Sequence, residues 1–290
     1  MPLKRRNVRI TMKLFVTGCN GQLGRAINAV YAGDKDVEIV NTDVDTLDIT
    51  NVEEVMKAVL AAKPDAIINC AAHTGVDACE TDVDNAYKIN AIGPRNLSIA
   101  ANAVNAKLVH ISTDYVFAGN GTKPYTEFDQ TGPQGMYGKT KLEGENFVKA
   151  IANKYFIIRT AWLYGDGKNF VKTMLRLADS NDKVRVVGDQ VGSPTSTAEL
   201  AKAIKYLIPT DNYGLFHGTC EGSCSWAEFA EEIFRQAGRD TKVEAITTEE
   251  FGAPAARPAY SILDNYMLKL TTDFKFADWK DALVEYMKTL

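Results

Sequence analysis

Apolar positions along this chain alternate between two periods. Lys13-Leu-Phe-Val-Thr17 is a short apolar run that ends in glycine-rich sequence, after which Leu23, Ile27 and Val30 recur near helical spacing. Strand, tight turn and helix are predicted in that order. Residues 37–41 read as a second strand, Thr50-Asn-Val-Glu53 as a capping box ahead of Val55, Val59 and Ala62, and residues 65–69 as a third strand. The rhythm continues through a helix over about 83–104, a strand over 107–111, a helix over about 137–152 and a strand over 155–159. Gly93-Pro94 interrupts the long helix, and a proline there removes a hydrogen bond, so a kink is predicted. Regular alternation of strand and helix implies a parallel sheet covered on both faces, an α/β fold of the doubly wound Rossmann type.

Beyond Tyr164-Gly-Asp-Gly167 the rhythm loosens. Val184-Arg-Val-Val187 is followed by a glycine and proline loop over 188–194 and by amphipathic stretches near 198–207 and 225–237. A smaller C-terminal substrate-binding lobe that closes over the strand ends is expected. The division reads as residues 12–164 with 196–220 for the dinucleotide-binding domain, and 165–195 with 221–290 for the lobe. Residues 1–11 open with a basic Met1-Pro-Leu-Lys-Arg-Arg6 and read as an extension, since Met12-Lys13 directly precedes the first strand. No apolar stretch of signal-peptide or membrane-spanning length follows them, so neither export nor a membrane partner is expected.

Composition narrows the class of ligand. Among 290 residues, 46% are hydrophobic and 24% charged, enough for a sizeable core, and a net charge of −4 argues against nucleic acid. A small-molecule ligand is expected. Five cysteines form an odd set with no disulfide framework, which suits a reducing compartment and points to the cytoplasm. His217, Cys220 and Cys224 lack a second ligand pair, so no metal is expected and the thiols read as small packing groups.

Gly18-Cys-Asn-Gly21-Gln-Leu-Gly24 sits between the first strand and the first helix, where backbone N–H groups and the positive helix end face a common point. A pyrophosphate fits such a turn. The spacing is GxxGxxG rather than GxGxxG, and the strand-turn-helix context strengthens the reading. Asp43, near the end of the second strand, is placed to accept from ribose hydroxyls and favours NADH, while nearby Arg25 leaves NADPH open. Tyr137-Gly-Lys-Thr-Lys141 places a phenol and an ammonium on one helical face. A cation beside a phenol, which titrates near pH ~10 when free, lowers its pKa and makes it a usable general acid and base. Ser112-Thr113-Asp114 ends the fourth strand, at the sheet edge where α/β folds bind ligands, so Thr113 or Ser112 can hydrogen-bond a carbonyl.

At this point the chain resembles the extended short-chain dehydrogenases, and within them the dTDP-4-dehydrorhamnose reductases. The resemblance runs from about Met12 onward and rests on GCNGQLG (18–24), LDIT (47–50), NCAAHTGVDACE (69–80), STDYVFAG (112–119), YGKTKLEGE (137–145), RTAWLYG (159–165), GDQVGSPT (188–195) and RPAYSILDN (257–265). It implies reduction of the C4 ketone of a dTDP-sugar by NADH or NADPH. The residues implied for catalysis are Thr113, Tyr137 and Lys141. For the cofactor they are Gly18, Asn20, Gly21, Gln22 and Leu23 at the pyrophosphate, Asp43 at the ribose, Asp48 and Ile49 at the adenine, then Ala71, Ala72, His73, Thr74 and Asn90, and also Tyr137 and Lys141, the latter at the nicotinamide ribose. For the substrate they are Val76, Asp77, Thr113, Asp114 and Trp162, with Arg257 offering a bidentate fork to phosphate. Ala118 stands where the family often has an acid, and the turn-rich stretch from Gly119 to Gln134 reads as a flap beside the site. A homodimer is allowed by the resemblance. Two alternatives stay open: another nucleotide-sugar reductase or epimerase of the same fold, and a non-catalytic regulatory subunit that keeps the nucleotide fold for binding.

Overall fold

The computed structural model describes residues 12–290; the expectation for residues 1–11 lies outside them. Six parallel strands form the main sheet: β1 (Met12–Thr17), β2 (Val37–Thr42), β3 (Ala66–Asn69), β4 (Lys107–Thr113), β5 (Tyr155–Thr160) and β10 (Gly214–His217). Their order is β10-β5-β4-β3-β1-β2, so the chain reverses its direction of travel across the sheet between β1 and β3. That reversal opens a crevice beyond the carboxyl ends of the two strands, which is where such sheets bind ligands.

Helices α1 (Gln22–Val30) and α8 (Thr197–Leu207) pack over one face, and Leu23, Ile27, Leu200 and Ile204 join Leu14, Val16 and Phe156 in one core cluster. Helices α2 (Val52–Ala62), α5 (Gly93–Ala103) and α6 (Met136–Ile151) cover the other, where Val55, Val59, Leu97 and Val148 meet Phe15, Ile67 and Ile157. Burial on both faces is why the inner strands carry continuous apolar runs such as Leu14-Phe-Val16, Ala66-Ile-Ile68 and Phe156-Ile-Ile158, whereas the edge strand β2 exposes Glu38 and Asn41.

A second core forms around α7 (Phe170–Ala178), the parallel pair β7 (Lys183–Val187) and β12 (Lys242–Ile246), α9 (Trp226–Gln236) and α12 (Trp279–Met287). Two-residue strands stitch it to the sheet-bearing part: β6 (Leu163–Tyr164) pairs with β9 (Thr195–Ser196), and β8 (Val191–Gly192) with β11 (Cys224–Ser225). Two short helices, α10 (Thr248–Phe251) and α11 (Tyr266–Thr271), flank the segment that returns toward the sheet.

Two local expectations are corrected. The cap of α2 is Asn51, not Thr50: its side chain accepts from the amides of Glu53 (3.0 Å) and Glu54 (3.3 Å), and Thr50 instead donates its own amide to Asp48 (2.8 Å). The long helix expected over about 83–104 is broken into α4 (Val83–Tyr87), a π-helical turn (Lys88–Ile92) and α5, rather than kinked at Pro94, and a separate short helix, α3 (Val76–Cys79), precedes it. Pro94 lies in the first turn of α5, and the wider π turn before it absorbs the missing N–H and the ring. The stretch from Gly119 to Gln134 is anchored at Glu127, whose carboxylate accepts from the amides of His217 (2.7 Å) and Met267 (3.2 Å).

Helix α6 is tied to the sheet by charge as well as by packing. Glu145, 0% exposed, takes a bidentate fork from Arg159 of β5, 2% exposed, at 2.8 and 2.7 Å. Ser112 of β4 donates to the same carboxylate at 2.7 Å, and Lys149 reaches it at 3.0 Å. Burial alone pushes the Glu145 carboxyl up, but the Arg159 fork and charge, with Lys149 and Ser112, outweigh it and bring it down to about 2. Its unfolded value lies near ~4.3, so this contribution to stability is complete above that pH and is lost as pH falls toward 2. Glu145→Gln leaves a buried guanidinium without its counter-charge and is expected to cost about 3–5 kcal/mol in urea denaturation. The double variant Glu145→Leu/Arg159→Met should lose far less than the sum of its single changes; additive losses would remove the ion pair as the cause.

Candidate active site

At the switch point the glycine turn is shaped by close approach. Gly18 has φ +64, and a Cβ there would stand 2.7 Å from the amide nitrogen of Ala71, so the turn after β1 lies directly on the segment after β3. Helix α1 then begins at Gly21 with no side-chain cap, leaving its first backbone N–H groups directed into the crevice. Here the residues fit a dinucleotide: an uncapped helix end for pyrophosphate and a turn that admits no side chain. Gln22 and Leu23 contribute those amides, but their side chains work elsewhere. Gln22 Oε1 accepts from the amide of Gly165 (2.8 Å), and Leu23 is buried in the core.

Asp43 accepts from the amides of Asn20 and Val44, both at 2.8 Å, which fixes its carboxylate at the rim of the crevice beside the turn. Arg25, left available to a 2′-phosphate by the sequence, is engaged with Asp166 at 2.9 Å. Asp48 caps Thr50, and Ile49 is buried, its side chain filling the space a Cβ on Gly93 would need. Ala71 donates its amide to Asn69 (3.2 Å); Ala72, His73 and Thr74 continue the extended segment beyond β3. Asn90, in the π turn, locks that segment by accepting from the His73 amide (2.8 Å) and donating to the His73 carbonyl (3.1 Å) and the Thr140 hydroxyl (3.1 Å).

Tyr137 and Lys141 lie one turn apart near the start of α6, with Thr113 at the end of β4 facing them. The helix comes this close because Gly138 has no side chain: a Cβ there would collide with the Tyr115 carbonyl, two residues past Thr113, and Gly144 likewise lets the helix lie on the Asn90 carbonyl. Thr113 lies close enough to the Tyr137 phenol to act on it, and its hydroxyl donates to Asp114 (2.9 Å). Lys141 is buried and donates to the Ile111 carbonyl at 2.6 Å.

The electrostatics differ from the sequence expectation. Burial pushes the Tyr137 phenol up; the Thr113 hydroxyl only partly counters it, and Lys141 does not bring it down. The phenol therefore stays protonated, the form needed to give a proton to a ketone oxygen. Lys141 is itself brought down to about 8 by burial, with Glu145 and Cys70 opposing. Asp114, buried beside Thr113, is pushed up to about 6 by burial, with the Thr113 and Ser261 hydroxyls resisting.

Of the residues expected at the substrate, Asp114 lies beside Thr113 and Tyr137. Trp162 stands in the left-handed region at φ +48, its ring stacked on Trp226 at 3.5 Å between centroids and 8° between planes. Its indole fills the space over Gly192 next to the Ser261 hydroxyl, which donates to the Val191 carbonyl at 3.3 Å. Val76 opens α3, and Asp77 pairs with Arg257 at 3.0 Å, so two expected ligand contacts hold each other. Tyr115 and Glu80 were missed by the sequence reading. Tyr115 meets Tyr137 edge-on at 5.4 Å, and Glu80 accepts from the Met136 amide (2.8 Å) at the start of α6. Both lie inside motifs already singled out, STDYVFAG and NCAAHTGVDACE, but nothing in one dimension marks them as neighbours of Tyr137.

Known proteins share this fold. A dTDP-4-dehydrorhamnose reductase from Clostridium acetobutylicum ATCC 824 is 58% identical, with a TM-score of 0.94 over 96% of this chain and 99% of that one. The same enzyme from Bacillus anthracis str. Ames, solved in complex with NADP, is 46% identical, with a TM-score of 0.94 over 97% of this chain and 100% of that one. The spore coat polysaccharide biosynthesis protein SpsK of Bacillus subtilis (strain 168) is 40% identical over 279 residues, 95% of this chain and 97% of the relative. The model of the RmlD substrate binding domain matches residues 12–290, the whole of the described fold from β1 onward, and the chain belongs to that family.

Proposed function

We propose that this chain reduces the C4 ketone of dTDP-4-dehydro-β-L-rhamnose to dTDP-β-L-rhamnose with NADPH or NADH. The observation that carries the reading is the convergence of Thr113, Tyr137 and Lys141 at the carboxyl edge of the sheet, beside a cradle fit for a dinucleotide. Relatives at 58% and 46% identity bearing the name dTDP-4-dehydrorhamnose reductase support the choice of substrate. Gly18, Asn20, Gly21, the amides of Gln22 and Leu23, Asp43, Asp48, Ile49, residues 71–74 and Asn90 are the residues proposed to hold the cofactor.

A reduced nicotinamide nucleotide bound there supplies a hydride. Thr113 orients the ketone oxygen through its hydroxyl, and Tyr137 gives that oxygen its proton. Lys141 then lies one turn along the helix from the phenolate left on Tyr137, held by Ile111 and screened from solvent. Val76, Asp114 and Trp162 are proposed to line the sugar, and Arg257 the diphosphate. We place the reaction in the cytoplasm, a compartment that suits five free thiols. Among the described residues no helix is long and apolar enough to cross a membrane.

Absorbance loss from NADPH or NADH on adding dTDP-4-dehydrorhamnose, made in place from dTDP-glucose, tests the activity directly. Tyr137→Phe is expected to lower turnover by about 10²–10⁴-fold while leaving cofactor affinity within a few-fold. Turnover at the wild-type rate in that variant removes Tyr137 as the acid. The pH dependence gives a second check. Lys141 is charged below about pH 8 and neutral above it, so kcat/KM should fall as pH rises through that value. Lys141→Arg, slower but permanently charged, should lack that alkaline limb; an unchanged limb assigns it to another group.

A further inference from the structure

Arg257 and Asp77 are 180 residues apart in sequence and meet above the start of α6. The guanidinium forks onto both carboxylate oxygens, Nη1 to Oδ1 at 3.1 Å and Nη2 to Oδ2 at 3.0 Å, and Nη1 also reaches the Ala255 carbonyl at 3.3 Å. Asp77 Oδ1 accepts the Ala255 amide as well, at 3.1 Å, so the carboxylate fastens the returning strand of chain after α10 to the loop that carries α3. Both charges act on the Tyr115 phenol, whose ring lies edge-on to Tyr137. The pair therefore stands one aromatic ring away from the proposed acid.

Its position and its strength point in different directions. A pair that spans two parts of the fold beside the site would be a permanent brace if buried, as Glu145 and Arg159 are. Instead Asp77 is 45% exposed and Arg257 21% exposed, and ion pairs in contact with water are worth little. A diphosphate carries more charge than one carboxylate and offers the same forked oxygen geometry to a guanidinium. An entering diphosphate can thus take Arg257 from Asp77, whereas no such exchange is open to the buried pair.

We propose that Asp77 is a displaceable counter-ion for Arg257: it holds the guanidinium and the 255–257 segment over the site, and yields them to the diphosphate of the incoming nucleotide sugar. This rests on the proposed binding of a nucleoside diphosphate sugar, and it assigns Asp77 the part of a competitor for Arg257 rather than a contact for the ligand. The exchange couples substrate entry to release of the 255–257 segment from α3.

Asp77→Asn tests the exchange cleanly, because an amide oxygen still accepts from Ala255 while the charge opposing the diphosphate is gone. Calorimetric titration with dTDP is expected to show binding tightened by about twofold to fivefold, the range that the loss of an exposed competing pair converts to. Thymidine, which lacks the diphosphate, should bind the variant and the wild type alike. In an Arg257→Gln background the gain from Asp77→Asn should vanish. Equal or weaker dTDP binding by Asp77→Asn overturns the proposal, and so does a gain that persists without Arg257, which would mark general charge repulsion. Asp77→Ser makes the same prediction and takes its place if the asparagine variant does not fold. Failure of the wild type to bind dTDP or UDP overturns this proposal together with the substrate assignment. Tightened binding in a protein that oxidises neither cofactor keeps the exchange and removes only the reductase reading.

Discussion

The site depends on the buried pair between Glu145 and Arg159. Tyr137, Lys141 and Glu145 follow one another at intervals of four along α6, so they share a face, and that face looks onto the ends of β4 and β5. Apolar packing sets the helix against the sheet but does not by itself fix its rotation or its slide along its axis. A bidentate fork does, because its two hydrogen bonds are satisfied in one geometry and a lone buried charge is costly in any other. With Ser112 on β4 and Arg159 on β5 both bonded to Glu145, the phenol of Tyr137 is brought opposite Thr113. Arg159 further lies over the Phe117 ring at 4.9 Å, which extends the same anchor to the stretch after β4.

Around that anchor, the fold arranges polar groups so that each segment near the crevice is held from at least two sides. Thr17 donates to Asn69 at 2.7 Å, tying the ends of β1 and β3 together at the switch point. Asn69 in turn meets His110 of β4 at 3.1 Å, and burial keeps that imidazole well below its ordinary value and neutral. Asn90 bridges the segment after β3 to α6 through His73 and Thr140. The π turn that carries Asn90 is the device that lets one side chain face both partners, and it exists where Pro94 forbids a regular helix. Strain is likewise placed beside the site. Trp162 holds a left-handed backbone that a bulky residue seldom adopts, and its stacking on Trp226 supplies contact that offsets the cost.

Protonation follows from burial more than from pairwise charge. Tyr137 and Asp114 are both shifted toward their neutral forms, and Lys141 toward its neutral amine, although cations and carboxylates lie close by. Glu145 is the exception, because Arg159 meets it with two hydrogen bonds in addition to charge. One helix face thus carries a neutral phenol, a lysine poised near neutrality and a firmly ionised carboxylate. Burial sets the first two states, and only at Glu145 does a charged, bidentate partner overcome it.

The sequence by itself determined the α/β class, the order of the first five strands, the glycine turn, and the spacing of Tyr137 from Lys141. Each of these is written in local periodicity or in a motif whose parts are neighbours along the chain. Sequence also placed Thr113 at a strand end, where the sheet edge gives a hydroxyl access to ligand. Tertiary structure decided what lies between segments far apart in the chain. The carboxylate that pins α6, the exchangeable pair of Asp77 with Arg257, the engagement of Arg25 by Asp166, and the edge contact of Tyr115 on Tyr137 all join positions that no period connects. The cap at Asn51 instead of Thr50 was missed for a different reason: capping depends on where the backbone leaves the extended region, a one-residue matter that composition leaves open. The protonation of Tyr137 was missed because a pKa is set by desolvation and the full set of neighbouring donors, and both come into being only when the chain is folded.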